Sequence, residues 1–211
     1  MIGAEEVLNP EMAARPDPTE STVQFYDSHA QEYFDRTVSA DLSPIYDEFV
    51  KRVHAGAKVL DAGCGSGRDV RNLHLRGFDV MGIDASSALV KLARQYSGVT
   101  CRTMRLENVN FVRRFDAIWA CASLLHVPKT KLASVLRRLK AGLVEGGLLY
   151  ASVQVGNGEM LAPDGRYFAY FEPDEFTGFL VKAGFGVEAD WISEDTLASQ
   201  RSLRWLNVFA R

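Results

Sequence analysis

A strand-like apolar run that breaks into a glycine-rich turn is the feature that most restricts how this chain can fold. The segment 59–67 has the sequence VLDAGCGSG, with glycine at every second position after the apolar run. Glycine tolerates positive φ and has no side chain, so the turn can leave a sheet sharply and a ligand can lie against its backbone. A second apolar run ends at Asp84, roughly twenty residues later, where a carboxylate can accept hydrogen bonds from ribose hydroxyls. Together these features predict a site for a nucleoside-containing cofactor.

Apolar runs alternate with amphipathic segments along most of the chain, which predicts an α/β fold. We expect a Rossmann-like, seven-stranded, mostly parallel sheet with helices on both faces. Strands are predicted near residues 58–61, 79–83, 99–104, 115–120, 147–153, 186–192 and 203–210. The helices that matter most here are predicted from residue 21 onward, over 43–54, over 129–143 and over 173–183.

The chain of 211 residues is long enough for one domain with an attached cap. Prolines and acidic residues predict a flexible lead over residues 1–20, and the remaining 21–211 form the predicted domain. Within it, residues 21–56 are a helical cap and 57–211 are the core. A segment at about 154–171 starts with glycines and ends in aromatic residues, a composition typical of a lid over a binding site.

Charge and cysteine content exclude several classes of partner. The net charge of −3 does not favour nucleic acid as a partner, and no apolar run is long enough to suggest a membrane span. The three cysteines have no C-x-x-C spacing, so neither a disulfide framework nor a metal site is expected. We therefore expect a cytoplasmic protein, monomeric or homodimeric, without a metal.

The order D-x-G-x-G-x-G from Asp61 to Gly67 resembles motif I of class I S-adenosylmethionine-dependent methyltransferases. A dinucleotide fingerprint has the order G-x-G-x-x-G, and here Arg68 replaces its third glycine, which disfavours a nicotinamide-dependent oxidoreductase. The resemblance implies S-adenosylmethionine as cofactor and a sheet order of 3-2-1-4-5-7-6 with the last strand antiparallel. It also implies that Asp61 helps to hold the ammonium group of the cofactor.

The resemblance implies further cofactor contacts at the ends of the strands. Arg105 departs from the family, because many relatives have an acid there to accept a hydrogen bond from the adenine amino group. Tyr33, in the cap, is expected near the sulfonium, whereas Tyr26 and Phe34 are expected to pack the cap helix. The predicted cofactor-binding residues are Asp61, Gly63, Cys64, Gly65, Gly67, Arg68, Asp84, Ala85, Ser86, Leu106, Ala120, Cys121 and Tyr33.

The methyl acceptor is expected beyond the fourth strand, next to His126. A histidine can take a proton from a hydroxyl or a protonated amine, so His126 is the candidate catalytic base, with a role as a brace for its loop as the alternative. Arg166, Tyr167 and Tyr170 of the lid are the candidate substrate residues.

Four functions remain open at this point. The leading one is methyl transfer to a small molecule. The others are methyl transfer to RNA or protein, a nicotinamide-dependent oxidoreductase, which Arg68 disfavours, and a non-catalytic cofactor-binding module. The end of the fourth strand and the lid segment Gly165–Phe168 are similar to small bacterial proteins grouped loosely with tellurite-resistance-type methyltransferases. That finer resemblance does not identify the acceptor, because the fold and the cofactor concern only the methyl donor.

Overall fold

The apolar runs form one seven-stranded sheet in a computed structural model of the chain, which describes residues 17–194 and 203–211. The order of the strands is β3-β2-β1-β4-β5-β9-β8, which is the predicted order once two short extra strands are numbered. Pairs from β3 to β5 are parallel, and β9 runs antiparallel to both β5 and β8. The strands are β1 Lys58–Ala62, β2 Asp79–Asp84, β3 Cys101–Thr103, β4 Phe115–Cys121, β5 Leu143–Gln154, β6 Glu159–Leu161, β7 Tyr167–Ala169, β8 Val187–Glu194 and β9 Arg204–Ala210.

Helices cover the sheet on both faces, as a sheet that is apolar on both sides requires. Leu60, Ile118 and Leu149 lie in one buried cluster with residues of α6 and α7. Val59 and Trp119 lie in a second cluster with residues of α3, α4 and α5 on the opposite face. The helices are α1 Pro18–Ser28, α2 Ala30–Thr37, α3 Ser43–Val50, α4 Arg68–Leu75, α5 Ser87–Ser97, α6 Lys129–Gly142 and α7 Pro173–Lys182.

The cap begins earlier than predicted. Pro18 was expected to interrupt a helix, but it is the first residue of α1, and the Asp17 carboxylate accepts a hydrogen bond of 3.0 Å from the Thr19 amide. Proline is favoured at the first helical position because its missing N–H has no partner there in any case. Residues 17–20 were thus wrongly assigned to the flexible lead, whereas 1–16 lie outside the described residues. The single helix expected after residue 21 is two helices, separated at His29.

The lid segment contains a hairpin that the sequence did not predict. Strands β6 and β7 pair antiparallel, with Met160 opposite Phe168. The hairpin adjoins α1, because the Tyr167 amide donates to the Thr22 hydroxyl at 2.9 Å. The region from 154 to 171 is therefore attached to the cap as well as to the core. Among the described residues, no helix has the length and apolarity needed to cross a membrane.

Strands β2 and β3 lie on one side of β1, and strands β4 and β5 lie on the other. Strand order therefore reverses between β1 and β4, and the carboxyl ends of these two strands flank that point. The glycine turn follows β1 at this point and leads directly into α4. Gly67 ends the turn with a φ of +81°, and a Cβ there would lie 2.7 Å from the Ala93 Cα of α5. Because Gly67 has no side chain, α4 can pack closely against α5, and the turn is directed toward the end of β2.

Replacing Gly67 with alanine should lower the free energy of unfolding by about 3 kcal/mol, since it combines positive-φ strain with overlap against a backbone atom. Gly77 is a matched control, with a φ of +91° and no atom within 4 Å of the added Cβ. Gly77→Ala should therefore cost only about 1 kcal/mol. Urea denaturation measures both, and equal losses in the two variants would contradict the packing argument.

Candidate cofactor and acceptor site

A cavity of about 110 Å³ lies at the carboxyl ends of β1, β2 and β4, under α1 and α2. Several predicted residues line it: Tyr33, Gly63, Gly65, Asp84, Ala85, Ser86, Leu106, Cys121 and His126. The structure adds residues that the sequence did not predict as part of the site, chiefly Thr19, Thr22, Val23 and Tyr26 of α1. The other predicted site residues are not in the cavity wall: Asp61, Cys64, Gly67, Arg68, Ala120, Arg166, Tyr167 and Tyr170.

The glycine turn is tied to the end of β2 by main-chain amides. The amides of Gly63 and Cys64 both donate to the Ile83 carbonyl, at 2.8 and 2.9 Å. The Gly65 amide donates to Asp84 Oδ2 at 2.9 Å, and the Ser86 amide donates to Asp84 Oδ1 at 2.9 Å. These bonds fix the plane of the Asp84 carboxylate at the edge of the cavity. Burial raises the pKa of Asp84, and the amide donors oppose that shift.

Two of the turn glycines lie against other parts of the site. A Cβ on Gly63 would be 2.3 Å from the Ser123 Cβ, so the turn runs directly beside the segment after β4. A Cβ on Gly65 would be 3.2 Å from the ring of Tyr33, so this tyrosine of α2 covers the turn. A larger residue at either position would push these elements apart. Glycine therefore keeps the segment after β4 and the Tyr33 ring packed against the turn that borders the cavity.

Asp61 lies behind the cavity wall with an unsatisfied acceptor. Its side chain is buried, and Oδ2 has no hydrogen-bond partner among the described residues. Burial and the nearby Asp69 raise its pKa well above the usual value for a carboxyl group. A buried carboxylate without a partner is costly, so the position suits a cationic group brought by a ligand, as the resemblance implies for the cofactor ammonium.

Arg68 is paired within the protein. Its Nε lies 2.6 Å from Asp69 Oδ1, and its Nη2 lies 3.0 Å from Asp69 Oδ2. Asp69 is buried and also accepts from the Tyr46 hydroxyl and, at 2.9 Å, from the Trp119 indole. Burial opposes the charge of Asp69, but Arg68 and these donors hold its pKa below the usual value. The charge of Arg68 is balanced here, so a contact between Arg68 and the cofactor carboxylate stays a prediction.

Arg105, which departs from the family pattern, has a structural partner. Its Nη1 lies 2.8 Å from the Glu20 carboxylate, and its Nη2 donates to the Thr19 hydroxyl at 2.7 Å. The arginine therefore joins the segment after β3 to the first turn of α1. On the other side of the cavity, Asp27 of α1 accepts from the Ser86 hydroxyl at 2.6 Å and from the Ala88 amide at 3.0 Å. These contacts hold α1 over the cavity.

His126 has a defined tautomer because its two ring nitrogens face different partners. Nδ1 lies 2.7 Å from the Tyr167 carbonyl, which can only accept, so Nδ1 has the proton. Nε2 is 2.9 Å from the Tyr26 hydroxyl and is then the acceptor of the phenol proton. Burial lowers the pKa of His126 to about 4, so the ring is neutral at pH 7. The Tyr26 hydroxyl is therefore hydrogen-bonded to the basic nitrogen of His126, the predicted catalytic base.

The three lid residues predicted to bind substrate lie outside the cavity wall. Arg166 is paired with Asp164 at 2.7 Å, and its guanidinium lies 4.5 Å from the centre of the Phe25 ring. Tyr167 contributes its carbonyl to His126, and its own hydroxyl bonds to Glu159. Tyr170 lies against Gly156, where an added Cβ would be 3.2 Å from the Tyr170 Cβ. Their direct contact with a substrate stays a prediction.

Residues 59–147 match a family model described as "Methyltransferase domain". A ubiquinone biosynthesis O-methyltransferase from Xanthomonas axonopodis pv. citri is 29% identical over 196 residues, covering 78% of this chain and 81% of that protein. An alpha N-terminal protein methyltransferase from Drosophila melanogaster is 28% identical over 147 residues, covering 64% of this chain and 53% of that protein.

Solved structures are similar over nearly the whole chain. One is a Burkholderia thailandensis 1,6-didemethyltoxoflavin-N1-methyltransferase with bound 1,6-didemethyltoxoflavin and S-adenosylhomocysteine. It superposes with a TM-score of 0.74 at 23% identity, covering 94% of this chain and 92% of that one. This likeness concerns the fold.

Protonation of His126 should destabilise the fold. Its pKa is lowered from about 6.5 to about 4, so the unfolded chain binds a proton in this interval that the folded chain does not. The free energy of unfolding should therefore fall as the pH drops from 6.5 to 4, by up to about 3 kcal/mol. Urea titrations at several pH values give the free energy of unfolding of the wild type and of His126→Asn. The difference between the two proteins isolates the contribution of His126 to the pH dependence. Parallel pH profiles for the two proteins would contradict it.

Proposed function

We propose that this chain, whose residues 59–147 match a methyltransferase domain model, is a class I S-adenosylmethionine-dependent methyltransferase that methylates a hydroxyl group of a small molecule. The observation that supports this acceptor most directly is the hydrogen-bonded pair of Tyr26 and His126 in the wall of the cavity. The relative from Xanthomonas, which is named an O-methyltransferase and is covered along most of its length, agrees with transfer to oxygen.

The residues at the strand ends fit S-adenosylmethionine, which supplies a methyl group on a positively charged sulfur. Asp84 would accept hydrogen bonds from the ribose, since its carboxylate is already oriented by two amides and retains free lone pairs. Asp61 would receive the ammonium group, because its Oδ2 lacks a partner among the described residues. The main chain of Gly63 and Gly65 would lie against the cofactor, and Leu106 would face the adenine with its amide.

The elements that cover part of the cavity favour a small acceptor. Helix α1 lies across the opening and is held at one end by Arg105 and at the other by Asp27. The hairpin β6–β7 lies beside α1, to which it is joined by the hydrogen bond from the Tyr167 amide to Thr22. A polypeptide or RNA strand would need both covers to be displaced, whereas a small molecule needs only a passage between them. The net charge of −3 also provides no general attraction for RNA.

The Tyr26 and His126 pair can take up the proton that a hydroxyl loses when its oxygen is methylated. The phenol donates to His126 Nε2, so its own oxygen is available to accept a hydrogen bond from an acceptor hydroxyl. A proton passed to the Tyr26 oxygen would release the phenol proton to Nε2. The imidazolium formed would be stabilised by the Tyr167 carbonyl at Nδ1. Tyr26 is therefore proposed as the group that meets the acceptor, with His126 as the base behind it.

Asp84→Asn should weaken the binding of S-adenosylmethionine by roughly tenfold to a hundredfold, because charge-assisted hydrogen bonds to the ribose are lost. Asp79→Asn is the matched control, since Asp79 begins β2 and is exposed, at the opposite end of the same strand. Titration calorimetry with S-adenosylmethionine and S-adenosylhomocysteine measures the dissociation constants. An Asp84→Asn protein that binds as tightly as the Asp79→Asn protein would contradict the proposed ribose contact.

Tyr26→Phe and His126→Asn should each lower kcat by about 10²-fold or more on a phenolic acceptor, with little change in the affinity for S-adenosylmethionine. Release of S-adenosylhomocysteine in the presence of a panel of phenols and catechols is the measurement. Tyr96→Phe is the control, because Tyr96 packs against Phe34 and is absent from the cavity wall.

Full activity of Tyr26→Phe beside an inactive His126→Asn would exclude the relay and leave His126 to act alone. A wild-type protein that binds S-adenosylmethionine but methylates none of the phenols would contradict the proposed hydroxyl acceptor. It would not contradict the proposed cofactor site.

A further inference from the structure

Two buried thiols lie together behind the glycine turn, outside the cavity wall. Cys64 is the residue between Gly63 and Gly65 of the turn, and Cys101 begins β3. Both cysteines are buried, with 5% and 0% of their surface exposed. Gly82 of β2 separates their backbones, since it is paired with Cys101 in the sheet and directly precedes Ile83, which accepts the Cys64 amide.

The space over Gly82 brings the two sulfur atoms close to each other. A Cβ on Gly82 would lie 2.9 Å from the Cys101 Sγ, 3.0 Å from the Cys64 Sγ and 3.0 Å from the Cys64 Cβ. Both side chains therefore fill the place that a residue other than glycine would occupy. A disulfide requires its two sulfur atoms to be neighbours, and both sulfur atoms here lie within 3.0 Å of the same point over Gly82.

The two thiols are chemically unequal. The interaction with the Cys101 sulfur raises the pKa of the Cys64 thiol, and the interaction with Cys64 lowers the pKa of the Cys101 thiol. The Arg94 side chain lies beside Cys101, with its Nε donating to the Cys101 carbonyl at 2.6 Å. Cys101 is therefore the sulfur of the pair that more readily becomes a thiolate, which is the reactive form.

Cys101 also contributes to the wall of an open surface depression, although its own surface is fully buried. The depression is separate from the cofactor cavity and is formed by the end of α5, the turn after it and the start of β3. Its wall consists of Arg94, Gly98, Val99, Thr100, Cys101 and Arg102. A small oxidant such as a peroxide would reach the Cys101 sulfur from this side through a local opening of the turn between α5 and β3, without displacing α1 or the lid.

We propose that Cys64 and Cys101 form a reversible disulfide that weakens cofactor binding when the protein is oxidised by a peroxide. The Cys101 thiolate attacks one peroxide oxygen, which gives a sulfenic acid and releases hydroxide. The Cys64 sulfur then displaces the sulfenic oxygen, so that the S–S bond forms as the S–O bond breaks and water leaves. Two thiols are oxidised and one hydrogen peroxide is reduced to two waters. A thiol reductant restores both cysteines.

The bridge would act on the cofactor through the turn that contains Cys64. Its amide and that of Gly63 bond to the Ile83 carbonyl, and the next amide, that of Gly65, orients Asp84. Drawing Cys64 toward β3 would displace these amides, and with them the main chain that borders the cavity. Affinity for S-adenosylmethionine should fall by about tenfold or more, because the ribose contact and the backbone contact are lost together.

The test is to treat the whole chain with hydrogen peroxide, remove the excess and measure its binding of S-adenosylhomocysteine by calorimetry, before and after dithiothreitol. Non-reducing peptide mass spectrometry identifies the linked cysteines. The wild type should contain a Cys64–Cys101 link, bind about tenfold more weakly and recover after reduction. Cys101→Ser and Cys101→Ala should bind like the reduced wild type and be insensitive to peroxide, since Cys101 is outside the cavity wall.

Three results would overturn the proposal. Cys64 and Cys101 could both remain free thiols after treatment, or the link could form without any change in affinity. Alternatively, Cys101→Ala could lose affinity as the wild type does, which would assign the effect to Cys121 in the cavity. The inference rests on cofactor binding by this site, and failure of the reduced wild type to bind S-adenosylhomocysteine would reject that premise separately.

Discussion

Hydrogen bonds from the turn after β1 to the end of β2 determine the geometry of the rest of the site. The Gly63 and Cys64 amides share the Ile83 carbonyl, and the Gly65 amide holds Asp84. Through them the backbone that would contact the cofactor and the carboxylate that would hold its ribose become one rigid unit. Helix α1 is then placed on this unit by Asp27, which accepts hydrogen bonds from Ser86 and Ala88 at the start of α5.

The distribution of charge around the cavity matches a cationic ligand. Arg68 neutralises Asp69, whereas Asp61 and Asp84 have no basic partner among the ion pairs of the described residues. His126 is uncharged at pH 7 and adds no positive charge to offset them. A ligand with a sulfonium and an ammonium group would relieve the raised pKa of both carboxyl groups, so binding and ionisation support each other. The preference for a cationic ligand arises from the burial of Asp61 and Asp84 as much as from the glycine motif.

Those parts of the molecule that repeat a local pattern could be predicted from the sequence. The alternation of strands and helices, the glycine turn and Asp84 followed from apolar periodicity and one motif, and the resemblance added the strand order and the cofactor. Tyr26 and Arg105 could not be assigned in this way, because their partners lie 100 and 85 residues away in sequence. The start of α1 was missed because the sequence was interpreted through the helix-breaking tendency of Pro18, although its position after Asp17 favours the opposite outcome. Partners distant in sequence are set by tertiary packing, which periodicity does not encode.

The position of β9 between β5 and β8 has a consequence for the order in which the sheet can be assembled. Strand β8 precedes β9 in sequence, yet its only pairing in the described sheet is with β9. Strands β1 to β5 can pair as soon as they are synthesised, whereas β8 must wait until Arg204–Ala210 has entered the gap beside β5. Folding of this edge therefore depends on a late, antiparallel insertion, and weakening a few residues of β9 would release two strands at once.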